Sequence, residues 1–185
     1  MKNDSKKGLV SFLLFVSILT LIRYHACGQS EPDLVKYVNP FIGVLDNNRS
    51  NCTVGPQIPF GSVNPGPQTP EGGHDGYSFY EPVRGFGQVH VSGTGWGRYG
   101  QFLVSPQIGL EVSETGHDSP KSGEIAKAYY YSVNLDRYGI KTELAPTHHA
   151  VIYRFMFPKS GDSHLLIDVS HSLTRDIAYF VKGQV

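Results

Sequence analysis

Past its first thirty residues the chain carries short runs of β-branched and aromatic side chains, four to seven residues each, separated by Gly, Pro, Asn and Asp. Runs at 88–91, 101–105, 108–112, 129–135, 140–144, 151–157 and 164–169 predict β-strands, because such side chains suit a pleated, half-buried surface and the separators favour turns. Between 151 and 157 the alternation is clearest. Val151, Tyr153, Phe155 and Phe157 form an apolar face and Ile152, Arg154 and Met156 a mixed one, so one side meets a core and the other is partly wet. Asp136, Arg137, Tyr138 and Gly139 lie between two runs and predict a hairpin with Gly139 in the left-handed region. Pro106 has no amide to donate and predicts a break between 101–105 and 108–112. The interval 44–74, rich in Gly and Pro and poor in β runs, predicts a long irregular connection of the kind that carries function. A last run at 177–181 predicts a strand whose partner lies further on, as in a chain truncated at its C-terminus. No later stretch repeats its apolar residues every 3.6 positions over three turns, so the expected fold is all-β, an antiparallel β-sandwich.

The first thirty residues follow other rules. Lys2, Lys6 and Lys7 precede an apolar run over 9–22 that Arg23 closes, the layout of a secretory signal peptide spanning 1–27. Fourteen helical residues reach about 21 Å, short of a hydrocarbon layer about 30 Å thick, so cleavage is expected rather than spanning. Cys27 follows Ala26 at the end of this run and is a candidate lipidation site of the lipoprotein type, with plain cleavage after Gly28 as the alternative; both take the chain out of the cytoplasm, and a lipid at Cys27 is the only membrane contact expected. Residues 28–36 read as a polar tail and 37–185 as the folded domain. Sixteen basic and sixteen acidic residues leave no net charge, which excludes the electrostatic footprint of a nucleic-acid binder. Two cysteines provide no disulfide framework, so packing has to hold the domain. The 21 Phe and Tyr with one Trp are ample for that.

Gly95, Gly97 and Gly100 satisfy the GxGxxG spacing, but a strand ending at Pro106 follows where a dinucleotide site needs a helix. The same loop carries His90, Ser92, Thr94, Trp96, Arg98 and Tyr99 on a backbone lightened by glycine. An indole beside hydroxyl, imidazole and guanidinium groups suits a pyranose, whose C–H face packs on an aromatic ring while its hydroxyls need paired donors and acceptors. The alternative is Trp96 folded back as a lid on the sandwich end. His74 and Asp75, flanked by Gly73 and Gly76, form a second polar cluster that could contact a ligand or be an ordinary turn; two ligands are too few for a closed metal site. Asp168, Ser170 and His171 lie along one strand end and are not expected to form a triad, whose members meet through space. Glycoside hydrolysis needs two flanking carboxyl groups. Asp118, Glu124, Asp136 and Glu143 read as solvated faces, so sugar contact is expected of this chain and catalytic residues are not assigned to it.

Tyr37, Val38, Asn39, Pro40, Phe41, Ile42 and Gly43, the stretch from Gly55 to Gly61, the stretch from Arg84 to Gly95, and the stretch from Tyr129 to Ile140 followed by Glu143 and Leu144 resemble the N-terminal part of glycoside hydrolase family 92. The resemblance implies a supersandwich-like β-sandwich packed on a much larger (α/α) barrel domain, in a secreted bacterial enzyme. It implies calcium-dependent, inverting, exo-acting cleavage of mannose-containing glycans, with the acid, the base and most calcium ligands in the barrel. By the same resemblance Trp96, His90, His74 and Asp75 face the sugar pocket, and this chain alone holds no catalytic residue and no metal site. A free-standing carbohydrate-binding module and a structural surface domain are the alternatives from other classes.

Overall fold

The computed structural model describes residues 13, 15–17, 33–44, 52–70, 76–90 and 99–173. The chain divides into two compact units, Met1–Leu34 and Val35–Val185. In the first, residues 13 and 15–17 are helical, and among the described residues no helix is long and apolar enough to cross a membrane. Cys27, like the expected strand at 177–181, lies outside the described residues.

A 3₁₀ turn spans Leu34–Tyr37, and the second unit contains eight described strands: β1 (Gly66–Gln68), β2 (Gly85–Gly87), β3 (Leu103–Ile108), β4 (Lys121–Lys127), β5 (Tyr130–Leu135), β6 (Ile140–Pro146), β7 (Val151–Met156) and β8 (Ser163–Asp168). They form two four-stranded sheets, β1-β2-β3-β8 and β4-β5-β6-β7, with every neighbouring pair antiparallel. The all-β expectation holds. The second sheet is a meander of sequence neighbours, while β8 returns to β3 after the whole meander.

Register follows from which side chains must be dry. Val133 lies opposite Thr142, which lies opposite Phe155, and Tyr131, Leu144 and Tyr153 form the next row, so one face of the meander is continuous apolar surface. Tyr153 and Phe155 stack at 5.7 Å, and Phe86 of β2 sits 6.5 Å from each ring, where the two sheets meet. Ile152, Arg154 and Met156 point to solvent, as the alternation predicts. Gly139 closes the β5–β6 hairpin at φ +64°, a backbone state open to glycine at little cost.

Three expectations are corrected. Pro106 does not break a strand: β3 runs through it, opposite Leu165 of β8. The physical reason is that β2 registers with β3 only at Phe86 and Val104, so at Pro106 one flank of β3 has no ladder to lose. The connection at 44–74 is not wholly irregular, since it supplies β1 and a bridge from Asn64 to Val89. Of the run at 88–91, the described residues 88–90 hold only the bridge at Val89; the pairing falls earlier, on β2, because two glycines around Phe86 let neighbouring side chains close over the backbone. β4, which has no apolar run at all, is a strand that sequence patterning missed.

Candidate functional site

The two segments bearing the candidate sugar contacts leave from stems that the structure fixes. The Thr69 amide donates to the Gly76 carbonyl at 2.9 Å, closing the base of one segment. The Gly100 amide donates to the Val89 carbonyl at 2.8 Å, closing the base of the other. His74, Asp75 and Trp96 lie within these segments and outside the described residues.

Gln68, the last residue of β1, ties the stems together. Its Nε2 donates to the Gly100 carbonyl at 3.0 Å and meets Nε2 of His90 at 3.1 Å, while its Oε1 meets Nε2 of His171 at 2.5 Å. The Leu173 amide then donates to the Tyr99 carbonyl, bringing the end of the β8 strand against the same stem. The space is filled to contact. A Cβ on Gly87 would lie 2.4 Å from Nε2 of Gln68, and a Cβ on Gly100, at φ +88°, 2.5 Å from the same atom and from Cγ of Leu173.

His90 is buried at 4% exposure, with Nδ1 on the Asn64 carbonyl at 3.0 Å. Burial holds its pKa down to about 4, against the raising effect of the Asn64 carbonyl and with a small lowering from His171, so the ring is neutral at pH 7. Sequence reading placed His90 toward a pocket; in the structure both ring nitrogens are engaged inside the protein. Burial also lowers the pKa of His171 and of His117. His117 uses Nδ1 on the Ser113 carbonyl at 2.9 Å, and its buried Nε2 has no partner among the described residues.

Beside this network lies an open cavity of about 650 Å³, lined among others by Arg84, Leu103, His117, Asp168, Ser170 and His171. Ser170 donates from both its amide and its hydroxyl to Oδ1 of Asp168, at 2.8 and 2.6 Å. That is a local turn, and His171 turns instead to Gln68, so the three residues form no triad.

The carboxylates correct another expectation. Asp136 is exposed and takes a bond from Ser122. Asp118, Glu124 and Glu143 are not solvated faces; their side chains are 16%, 8% and 9% exposed and are matched by donors, some local and some distant in sequence. Both oxygens of Asp118 are held by Arg84. Glu124 accepts from Tyr77 at 2.8 and 2.9 Å and from Tyr131 at 2.5 Å, with the Lys121 ammonium 3.6 Å away. Burial, reinforced by Glu124, pushes both phenols well above their ordinary pKa. Glu143 is bonded by Tyr130, Lys141 and Arg154. The Tyr130 bond comes first among the causes that hold its pKa near 2. Sequence alone had no signal for these pairings, nor for Gln68, a neutral residue in a Gly- and Pro-rich stretch.

The pattern of the glycosyl hydrolase family 92 N-terminal domain matches residues 37–185. The chain belongs to glycoside hydrolase family 92. It is 33% identical to a family 92 α-mannosidase from Bacteroides thetaiotaomicron solved with mannoimidazole, covering 76% of this chain and 20% of that one, with a TM-score of 0.69. A second family 92 glycosyl hydrolase structure matches at 25% identity and the same TM-score, covering 77% of this chain and 21% of that one. A protein of Arthroderma benhamiae described as an uncharacterized secreted glycosidase is 29% identical over 174 residues, 82% of this chain and 21% of that protein. The family 92 relatives are thus about five times the length that this chain spans in them.

Proposed function

We propose that this chain is the carbohydrate-contacting N-terminal domain of a secreted, calcium-dependent, inverting exo-α-mannosidase, and that bond cleavage belongs to an (α/α) barrel domain in the remainder of such an enzyme. The observation that carries the reading is the pair of closed stems, Thr69 with Gly76 and Val89 with Gly100, joined by Gln68. They bring together the bases of the two segments that hold His74, Asp75 and Trp96. An aromatic ring and polar groups on a common rigid base are what a pyranose requires. His90 acts from beneath, by fixing a stem, and does not reach the sugar. The mannose-containing glycan is suggested by the α-mannosidase relative.

The described residues do not fit calcium. Among the described residues no group of three or more His, Cys, Asp or Glu side chains is placed to hold a metal ion, and Asp118, Glu124 and Glu143 are satisfied by Arg, Lys and Tyr donors. In this reading the metal and its ligands belong to the rest of the enzyme. Export is supported by the signal-like residues 1–27 and by the relative described as secreted, with Cys27 as the candidate anchor point.

The test is titration of the purified protein with methyl α-mannoside, followed by the fluorescence of Trp96, the single Trp of the chain. A saturable change is expected, with no hydrolysis of an aryl α-mannoside, and Trp96→Phe, which has no indole left to report, is expected to lose the binding heat measured by calorimetry. Absence of any saturable change, or turnover by this chain alone, overturns the reading.

A further inference from the structure

Gln68 stands between two imidazoles that face opposite ends of one amide. His90 presents Nε2 to the amide NH₂ at 3.1 Å and Nδ1 to the Asn64 carbonyl at 3.0 Å. A carbonyl only accepts and an amide nitrogen only donates, so His90 has its proton on Nδ1 and a lone pair on Nε2. His171 presents Nε2 to the amide oxygen of Gln68 at 2.5 Å, so its proton is on Nε2. The second N–H of Gln68 goes to the Gly100 carbonyl at 3.0 Å. Three of the amide's contacts thus agree on one orientation, and that orientation dictates opposite tautomers in the two rings.

We propose that Gln68 is a positioning residue, a hydrogen-bond relay that locks His90 and His171 in opposite tautomers and thereby holds the stem of the 91–98 segment against the 171–173 segment. The inference rests on the reading of that segment as a glycan contact. It goes beyond that reading by assigning the positioning to Gln68 and His171. The His90 end is enclosed: His90 is 4% exposed, and Cβ atoms on Gly87 or Gly100 would collide with Nε2 of Gln68, whereas His171 is half-buried at the edge of the open cavity.

The relay also couples protons. A proton added to Nε2 of His90 confronts the Gln68 NH₂ with a second donor. The amide must then turn its oxygen to His90, which brings NH₂ against His171 and requires that ring to move its proton from Nε2 to Nδ1. Among the described residues, the titratable and charged groups around this path are Asp168, which favours a positive His171, and Arg84 and His117, which oppose it, while His171 is the one that acts on His90.

Long-range proton–nitrogen NMR of the ¹⁵N-labelled full chain near neutral pH reads the tautomers directly. The expected result is Nδ1–H on His90 and Nε2–H on His171. In Gln68→Glu the near-isosteric carboxylate only accepts. His171 then keeps its tautomer, while His90 gains a proton on Nε2 and titrates about one pH unit or more higher. In Gln68→Leu, His171 loses its acceptor and populates both tautomers. The same tautomer on both rings of the parent protein overturns the proposal. So does a Gln68→Glu protein whose tautomers and titration are unchanged, and this near-isosteric change gives the answer even if Gln68→Leu fails to fold. Methyl α-mannoside titrations of the same proteins separate the two readings. No response in the parent with the expected tautomers sinks the glycan reading and leaves the relay standing. A parent response that survives Gln68→Glu within about twofold, despite altered tautomers, overturns the positioning role.

Discussion

Arg84 grips both carboxylate oxygens of Asp118, Nε on Oδ1 at 2.9 Å and Nη2 on Oδ2 at 3.0 Å, across a separation of 34 residues. The fork fastens the segment before β4 to the entry of β2, alongside a Val83–Ser119 bridge, and Glu114 adds a third contact at 3.4 Å. The two side chains are only 10% and 16% exposed, so solvent screens the pair weakly.

Removing the guanidinium should therefore leave an enclosed carboxylate unmatched. Arg84→Ala is expected to lower unfolding free energy by about 3 kcal/mol in urea denaturation. Arg84→Lys, which keeps the charge and loses the fork, should cost about 1–2 kcal/mol. Equal losses for the two variants would show that the retained charge contributes nothing without the fork, and an Arg84→Lys protein as stable as its parent would show that charge alone matters here.

Glu124 is the centre of a second enclosed group, with Tyr77, Tyr131 and Lys121 converging on it. The Lys121 ammonium also lies 4.1 Å from the Tyr77 ring centroid. Glu124→Gln strands that buried cation, with an expected cost of about 2–4 kcal/mol in thermal or chemical unfolding. Tyr131→Phe removes one donor and leaves the charge pair, at about 1 kcal/mol. A Glu124→Gln protein as stable as its parent would show that the cluster contributes nothing net.

Acid should weaken the fold in two stages. His90 is depressed to about 4 from an ordinary 6.5, so the unfolded chain takes that proton first; its contribution is complete above pH 6.5 and is lost as pH falls toward 4. His117 and His171 are lowered in the same direction. Glu143, held near 2 against an ordinary 4.5, adds a contribution present above 4.5 and lost as pH falls toward 2. Unfolding free energy measured from pH 8 to pH 3 should be flat above 7 and decline below 6.5. His90→Gln should flatten the decline between 6.5 and 4 in proportion to its share. A curve unchanged by that substitution would contradict the assignment of His90 as a buried neutral base.

Gly100→Ala meets two obstacles, a positive φ and a collision with Gln68 and Leu173. It is expected to cost about 1–3 kcal/mol and to loosen the stem, read as faster amide exchange at Gly100. Gly139→Ala has φ +64° but its nearest contact would be 3.8 Å away, so it isolates the backbone cost alone. If the two substitutions cost the same, crowding around Gln68 carries no energy.

What was legible in the sequence follows the burial of each element. β7 and β8 alternate half-buried and exposed positions along their whole length, so their alternation shows in the residues themselves, while β5 and β6 are buried at most positions and are legible from their apolar and β-branched runs. β1 and β2 are three residues each, built of Gly-Pro-Gln and Gly-Phe-Gly, and are strands through their neighbours rather than their own propensity. β4 is a polar strand at a sheet edge, where little has to be buried. At the site, His90 stood out as a chemistry-bearing side chain near glycines. Its enclosure did not, because the groups that enclose it, Asn64, Gln68 and His171, come from 26, 22 and 81 positions away and carry no local pattern.

β4 also governs how this protein meets its own kind in a crowded solution. It borders its sheet, yet its pairing with β5 slips between Ser122 and Ile125, and Gly123 there adopts φ +58°. With the exposed Lys127 at its end, the kinked border offers, among the described residues, no straight row of unpaired amides for a passing strand to copy. Along that margin, the irregularity works against polymerisation into a continuous cross-molecular ribbon.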